Sequence, residues 1–322
     1  MNVLSSVVSA QHRPELREGW RGLRFDRHLP REAVHKAADA EVLLSDSARL
    51  GEERFAVAAR WSRDHHLGRR DGPGADPVLL AETVRQAAIH LAHRFHGSTY
   101  GHPFVLHGLA VDLDRPLPPA GPDGLDVGLD LDCRLLAPRR PLPGRERFAL
   151  EGVAWAGRRP VGRVRLRWEV LAPERYAVVR QRSTEAAGAP EQPPPAPLPL
   201  DAARAGQTRP EDVLLAADPE RAGRWWLRPF EHHPVLLDHA VDHVPGMVLV
   251  EAFRQAVAAI TPGAAAGREL RGLDAEFLAF GEPGSPIAVL AAPAPEGVVR
   301  VRAVQDGRPI AEARLRRPEA PC

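Results

Sequence analysis

Three polar side chains recur within two apolar stretches: Glu82, Arg85 and Gln86 in VLLAETVRQA (Val78–Ala87), and Glu251, Arg254 and Gln255 in MVLVEAFRQA (Met247–Ala256). Spacings of three and four residues put a carboxylate, a guanidinium and an amide on one helix face. Such a carboxylate can take a proton from a hydroxyl, the guanidinium can hold a phosphate or a developing oxyanion, and the amide can orient either. Two inert readings compete. One is an intrahelical ion pair, worth about 0.2–0.5 kcal/mol on an exposed face. The other is a symmetric ionic core, with Glu82 meeting Arg254 and Glu251 meeting Arg85 across a twofold-like axis.

The three pairs lie 169 positions apart (251 − 82 for the first), an offset long enough for a small domain, so the chain reads as two copies of one fold. Other landmarks keep the order. EVLLSD (Glu41–Asp46) answers DVLLAAD (Asp212–Asp218), His65 and His66 answer His232 and His233, and GRRPVGRVRLR (Gly157–Arg167) answers GRPIAEARLR (Gly307–Arg316). At the last landmark the offset falls to 149 (315 − 166), so the first copy carries extra residues, assigned to Arg115–Pro122 and the segment around Pro138–Pro143. The Pro-rich run APEQPPPAPLPL marks a semi-rigid tether. The expected organisation is a first domain over 30–183, a linker over 184–210 and a second domain over 211–318.

The elements that must carry these residues are a helix and an antiparallel sheet in each copy. Asp76 is placed to cap a helix with Pro77 at its first position, running to about Phe95 before Gly97; its counterpart spans about Met247–Thr261. Strands are expected at Arg54–Trp61, Pro103–Leu113, Arg147–Trp155, Val161–Val170, Ala275–Phe280, Ile287–Ala291, Val298–Val304 and Ile310–Leu315.

Charge narrows the partners. Lys+Arg 43 against Asp+Glu 42 gives no bulk attraction to nucleic acid or to an anionic membrane, and no apolar run reaches the length of a membrane span. The two cysteines, Cys133 and Cys322, lack metal or disulfide spacing. A cytoplasmic protein is expected. No Walker-type loop, GxGxxG turn or clustered metal ligands occur, so neither a bound cofactor nor a metal is expected. His90, His93 and His96, three residues apart, spread around the helix without an HExxH-type pair and read as partly exposed structural histidines. His243, just before the second helix, is a candidate substrate contact.

A central apolar helix wrapped by an antiparallel sheet, twice in one chain, reads as an α+β double hot-dog fold. The segments VHKAADAEVLLSD (Val34–Asp46), DPVLLAETVRQAAIHLAH (Asp76–His93) and LDHAVDHVPGMVLVEAFRQA (Leu237–Ala256) closely resemble the A-factor biosynthesis family, the gamma-butyrolactone or butenolide synthases. The resemblance implies transfer of a beta-ketoacyl group from acyl carrier protein to a hydroxyl of dihydroxyacetone phosphate. The resulting ester closes to a butenolide phosphate, a precursor of diffusible signals that control antibiotic production. It also implies that the phosphopantetheine arm of the carrier delivers the substrate, and that Glu82 and Arg254 form the functional pair.

The residues themselves suggest Glu82 as general base, its pKa raised by the apolar helix, and Arg254 as phosphate or oxyanion clamp. Arg85, Gln86, His243, Gly246, Glu251 and Gln255 are expected around the substrate, with amides near Pro245–Met247 as oxyanion donors. Two other readings stay open. The pattern P-G-x-x-x-x-E-x-x-x-Q resembles a hot-dog dehydratase helix start, but the catalytic His expected fourteen residues before Glu251 is replaced by Leu237, with His239 two residues away. A duplicated hot-dog that binds an acyl chain or acyl carrier protein without catalysis would need the apolar residues alone.

Overall fold

The computed structural model describes residues 20, 22–68, 74–137, 142–185, 198–228, 233–237, 241–261 and 270–318. The first copy contributes β1 (Leu44–Arg49), β2 (Arg54–Trp61), α1 (Pro77–His96), β3 (Phe104–Leu113), β4 (Leu125–Leu135), β5 (Arg145–Ala156) and β6 (Arg159–Leu171). A further helix, α2 (Pro173–Glu185), follows. The second copy contributes β7 (Leu215–Ala217), β8 (Arg224–Leu227), α3 (Gly246–Ile260), β9 (Gly272–Phe277), β10 (Ile287–Pro293), β11 (Val298–Gln305) and β12 (Arg308–Arg316).

All twelve strands form one antiparallel sheet, in the order β1-β2-β4-β5-β6-β3-β9-β12-β11-β10-β8-β7. Read inward from either edge, the two halves have the same order, which is the double hot-dog arrangement. They join where β3 pairs β9, with Ala110 opposite Asp274. Surface ion pairs cross this seam, Arg167 to Glu276 at 2.5 Å and Arg165 to Asp274 at 3.7 Å, but exposed pairs contribute little and the ladder itself does the joining.

Each helix forms for local reasons. Asp76 accepts from the Val78 amide at 2.9 Å, Pro77 needs no amide partner at the first position, and Gly97 ends α1 in the left-handed region at φ 74°. Sixteen of the twenty residues of α1 are buried, because the sheet wraps the helix on most sides. Each helix is then tied to the segment before its first strand by one glutamine. Gln86 accepts from the Leu43 amide at 2.9 Å and donates to the Glu41 carbonyl at 2.8 Å. Gln255 makes the same pair of bonds, with Leu214 and Asp212, both at 2.8 Å.

The structure adds three things to the expected elements. Strand β4 was not anticipated, although LDVGLDLDCRL alternates apolar and polar residues; it pairs with β2 and β5. Helix α2 runs from the end of the span assigned to the first domain into the first residues of the expected linker, outside the sheet. Part of the expected linker belongs to the second copy: the Leu200 amide bonds the Leu215 carbonyl at 2.9 Å, and Ala205 is fully buried. Composition hid this because packing, not proline content, decides where a tether ends. The insertion around Pro138–Pro143 falls mostly outside the described residues.

A continuous sheet shared by both copies predicts one cooperative unfolding event. Calorimetry should show a single transition whose van't Hoff enthalpy matches the calorimetric one. Two resolved transitions would mean that the halves unfold independently.

Candidate active site

A cavity of about 840 Å³ opens where the halves meet. Lys36, His66, Glu82 and Arg85 of the first copy face it from one side, and Leu237, His243, Pro245, Gly246 and Met247 of the second copy from the other. Tyr176 of α2 lies at its wall, donating to the Asp242 carboxylate at 2.8 Å.

Glu82 is the buried charge of this cavity, 1% exposed. Arg85 donates to both of its oxygens at 2.8 Å, Gln86 donates at 3.0 Å, and the Lys36 ammonium lies 3.2 Å away. Burial alone would raise its pKa, but Arg85 and Lys36 outweigh burial and hold the carboxyl well below the usual range. The expected upward shift is therefore reversed, because the apolar helix also delivers two cations to the carboxylate.

Across the cavity, α3 begins at Gly246 behind Pro245, and no side chain caps it. Its first amides point outward unpaired by the helix, as helix geometry requires. Space at 246 is tight: a Cβ there would come to 3.0 Å from the Phe277 ring and 3.2 Å from Leu106, so those side chains would have to shift. His243 stands beside this terminus, its Nδ1 2.7 Å from Asp242 and 3.2 Å from the Tyr176 hydroxyl. Leu237, which takes the place of a dehydratase histidine, presents an apolar chain to the cavity. His239 and His232 lie outside the described residues.

The pseudo-equivalent position in the other half is closed. Glu251 is fully buried, held by Arg254 at 2.9 and 2.5 Å, by Gln255 at 2.9 Å and by Gln207 at 2.5 Å. Burial disfavours the Arg254 charge, yet Glu251 beside it overcomes this and raises its pKa; the Glu251 carboxyl is lowered in turn. Of the two pairings open from the sequence, the one across the junction, Glu82 with Arg254, does not form. Each glutamate pairs with the arginine one turn along its own helix, and Arg254, Glu251 and Gln255 do not line the open cavity. Gln86 is likewise behind its wall, donating to Glu82.

Three substitutions around the two glutamates and helix starts bear on this difference. Gln207 stands where Lys36 stands, and Gly206 (φ 65°) where His35 (φ 52°) stands, both 171 positions on (207 − 36). Asp76 caps α1 where uncapped Pro245 precedes α3, and it lies 2.8 Å from His65. Ligand atoms of His65, Asp76 and Glu251 come within 4.8 Å of one another. The carboxylates are already engaged by the Arg254 guanidinium, two amide side chains, the Val78 amide and His65, so the cluster reads as a closed ion-pair network.

Sequence reasoning missed Lys36 and His35 as site residues. Both sit inside the segment Val34–Asp46, and Lys36 is the chain's only lysine. The histidine match also shifts by one: His65 Nδ1 accepts from the Leu67 amide and His233 Nδ1 from the Val235 amide, so His65 answers His233. His90 and His93 are buried, not partly exposed. His90 reaches the Ser47 hydroxyl at 2.8 Å, while His93 lies between the Ser98 carbonyl and His35, each at 2.8 Å.

The profile of the A-factor biosynthesis hotdog domain matches residues 21–172 and 188–317. The chain is 37% identical over 235 residues to a 2-oxo-3-(phosphooxy)propyl 3-oxoalkanoate synthase of Streptomyces virginiae, covering 73% of this chain and 77% of that one. It is 34% identical to the synthase of the same name from Streptomyces griseus, covering 90% and 95% of the two chains. Against the synthase of Streptomyces coelicolor strain A3(2) it is 32% identical, covering 87% and 88%. Among the described residues, no helix is long and apolar enough to cross a membrane.

Replacing Arg254 by Ala strands a buried carboxylate and should cost about 3–5 kcal/mol in chemical denaturation. The double change Glu251→Met and Arg254→Leu should cost less than the single one. Acid stability offers a second check. Burial pushes His66 down to about 3 and His90 to about 4, so both stay neutral in the fold while the unfolded chain binds protons below about pH 6.5. Stability should therefore fall as pH drops from about 6.5 to 4, by up to about 1.4 kcal/mol per pH unit for each histidine. Below about pH 4.5 the Glu82 and Glu251 contributions, present above the unfolded carboxylate pKa, are lost as well. A flat profile between pH 6.5 and 4 would contradict this.

Proposed function

This chain belongs to the A-factor biosynthesis hotdog family, and on that premise we propose that its open cavity transfers a 3-oxoacyl group from the phosphopantetheine thioester of acyl carrier protein to a hydroxyl of dihydroxyacetone phosphate. The relatives' printed product, a 2-oxo-3-(phosphooxy)propyl 3-oxoalkanoate, is the ester of those two partners. Closure of that ester leads to a butenolide phosphate.

One observation carries the reading: the open cavity between the halves sets an ionised Glu82 with two cations against an uncapped helix start. Glu82 with Lys36 and Arg85 sums to one net positive charge, which suits a phosphorylated acceptor. The amides of Gly246 and Met247 lie where an oxyanion formed from the thioester carbonyl would be stabilised, helped by the dipole of α3. His243, fixed by Asp242 and Tyr176, borders the same space. The Glu82 oxygens are already taken up by Arg85, Gln86 and Lys36, so its part is to hold the two cations at the cavity rather than to accept a proton. Gln86 holds Glu82 in turn. Arg254, Glu251 and Gln255 act at a distance, by seating α3 so that its first turn faces the cavity.

Purified protein incubated with a beta-ketoacyl carrier protein should lose the acyl group only when dihydroxyacetone phosphate is added, with the phosphorylated ester or butenolide seen by mass spectrometry. Glu82→Gln should lower the rate by about 10²–10⁴-fold, as loss of a group stabilising the reacting centre does. Arg254→Ala should lower activity only in step with the folded fraction. A carrier that stays loaded, beside a beta-hydroxyacyl substrate that loses water or merely binds, would replace acyl transfer with dehydration or binding.

A further inference from the structure

His66 sits on the connection between β2 and α1, 1% exposed, and its ring lines the open cavity. Neither ring nitrogen has a hydrogen-bond partner among the described residues. Leaving a buried polar atom unpaired costs about 1–3 kcal/mol, so an imidazole with two such atoms is a poor packing element. It becomes intelligible if a polar ligand completes it. The charged groups around it come from several elements: Glu82 from α1, Arg63 from its own loop, Lys36 from the segment before β1, and Glu251 from α3. With His65 answering His233, the second copy has Pro234 where the first has His66, so the closed half carries no imidazole at this position.

We propose that His66 is the proton acceptor and donor of the transfer, an inference that rests on the acyl-transfer reading above. As the acceptor oxygen attacks the thioester carbonyl, its proton passes to a ring nitrogen of His66 and the new C–O bond forms. Collapse of the tetrahedral adduct breaks the C–S bond, and the imidazolium returns the proton to the departing sulfur. The products are the ester and the free thiol of the carrier arm, with no net proton consumed. Burial is the main force against the transient imidazolium; Glu82, ionised throughout, counters it, and the acceptor's phosphate offsets the smaller opposing field of Arg63 and Lys36.

The test uses the full chain with a beta-ketoacyl carrier protein and dihydroxyacetone phosphate, comparing wild type, His66→Phe and His66→Ala. Phe keeps a ring in the packing and sacrifices no hydrogen bond, so its Tm should equal or exceed that of wild type. Its kcat should fall about 10²–10⁴-fold, and added imidazole should restore part of the rate in His66→Ala. Wild-type kcat in folded His66→Phe overturns the proposal, as does folded His66→Ala that imidazole does not rescue. If His66→Ala does not fold, the ring ¹⁵N signals of His66 in wild type decide: a shift on adding dihydroxyacetone phosphate supports the assignment, and none refutes it. Wild type that transfers no acyl group overturns the acyl-transfer reading itself, a result that the variants cannot mimic.

Discussion

A carboxylate buried in an apolar helix must be given a cation or lose its charge, and this protein meets that condition twice. Glu82 and Glu251 sit in the second turn of the two mostly buried central helices. In each, the next turn supplies the cation and the residue after it supplies an amide that both steadies the carboxylate and reaches the backbone before the first strand of its copy. The ion pair thereby sets the rotation of each helix against its sheet. Other features follow from that rotation: which face of α1 meets the cavity, where α3 begins, and which side chains the loops must bring.

The two halves use this shared frame differently. In the first, a third charge, Lys36, joins the carboxylate, and the space beyond it stays open. In the second, an amide, Gln207, replaces the ammonium, and the carboxylate and histidine of the opposite copy, Asp76 and His65, fill the approach. Asp76 closes the start of its own helix, whereas Pro245 leaves the start of α3 to whatever enters the cavity. The same few kinds of side chain thus make a filled core on one side and an open, charged cavity on the other.

Much of this was legible in the chain. The recurring Glu, Arg and Gln, the Asp76 and Pro77 start and the Gly97 stop defined both central helices to within a residue or two, because local chemistry determines helix ends. The duplication and the hot-dog arrangement followed from order and spacing. The direction of the Glu82 shift was not legible, since it depends on Arg85 closing onto the carboxylate and on Lys36, distant in sequence, joining it, and only packing shows that together they outweigh burial. Nor was the partner of Arg254: spacing allowed a bond within the helix or across the junction, and only packing chooses. His66 looked like half of a repeated dipeptide, and its isolation appears only when every neighbour is placed.

The seam between β3 and β9 has a consequence for how such a protein can change. Two separate but identical subunits would have to carry every substitution in both sites at once, so an aspartate that seals one entrance would seal the other. Joining the copies in one polypeptide, along a ladder that cannot exchange partners, releases each from its twin. One half is then free to become scaffold while its sibling keeps the chemistry, and the stoichiometry between them is written into the gene.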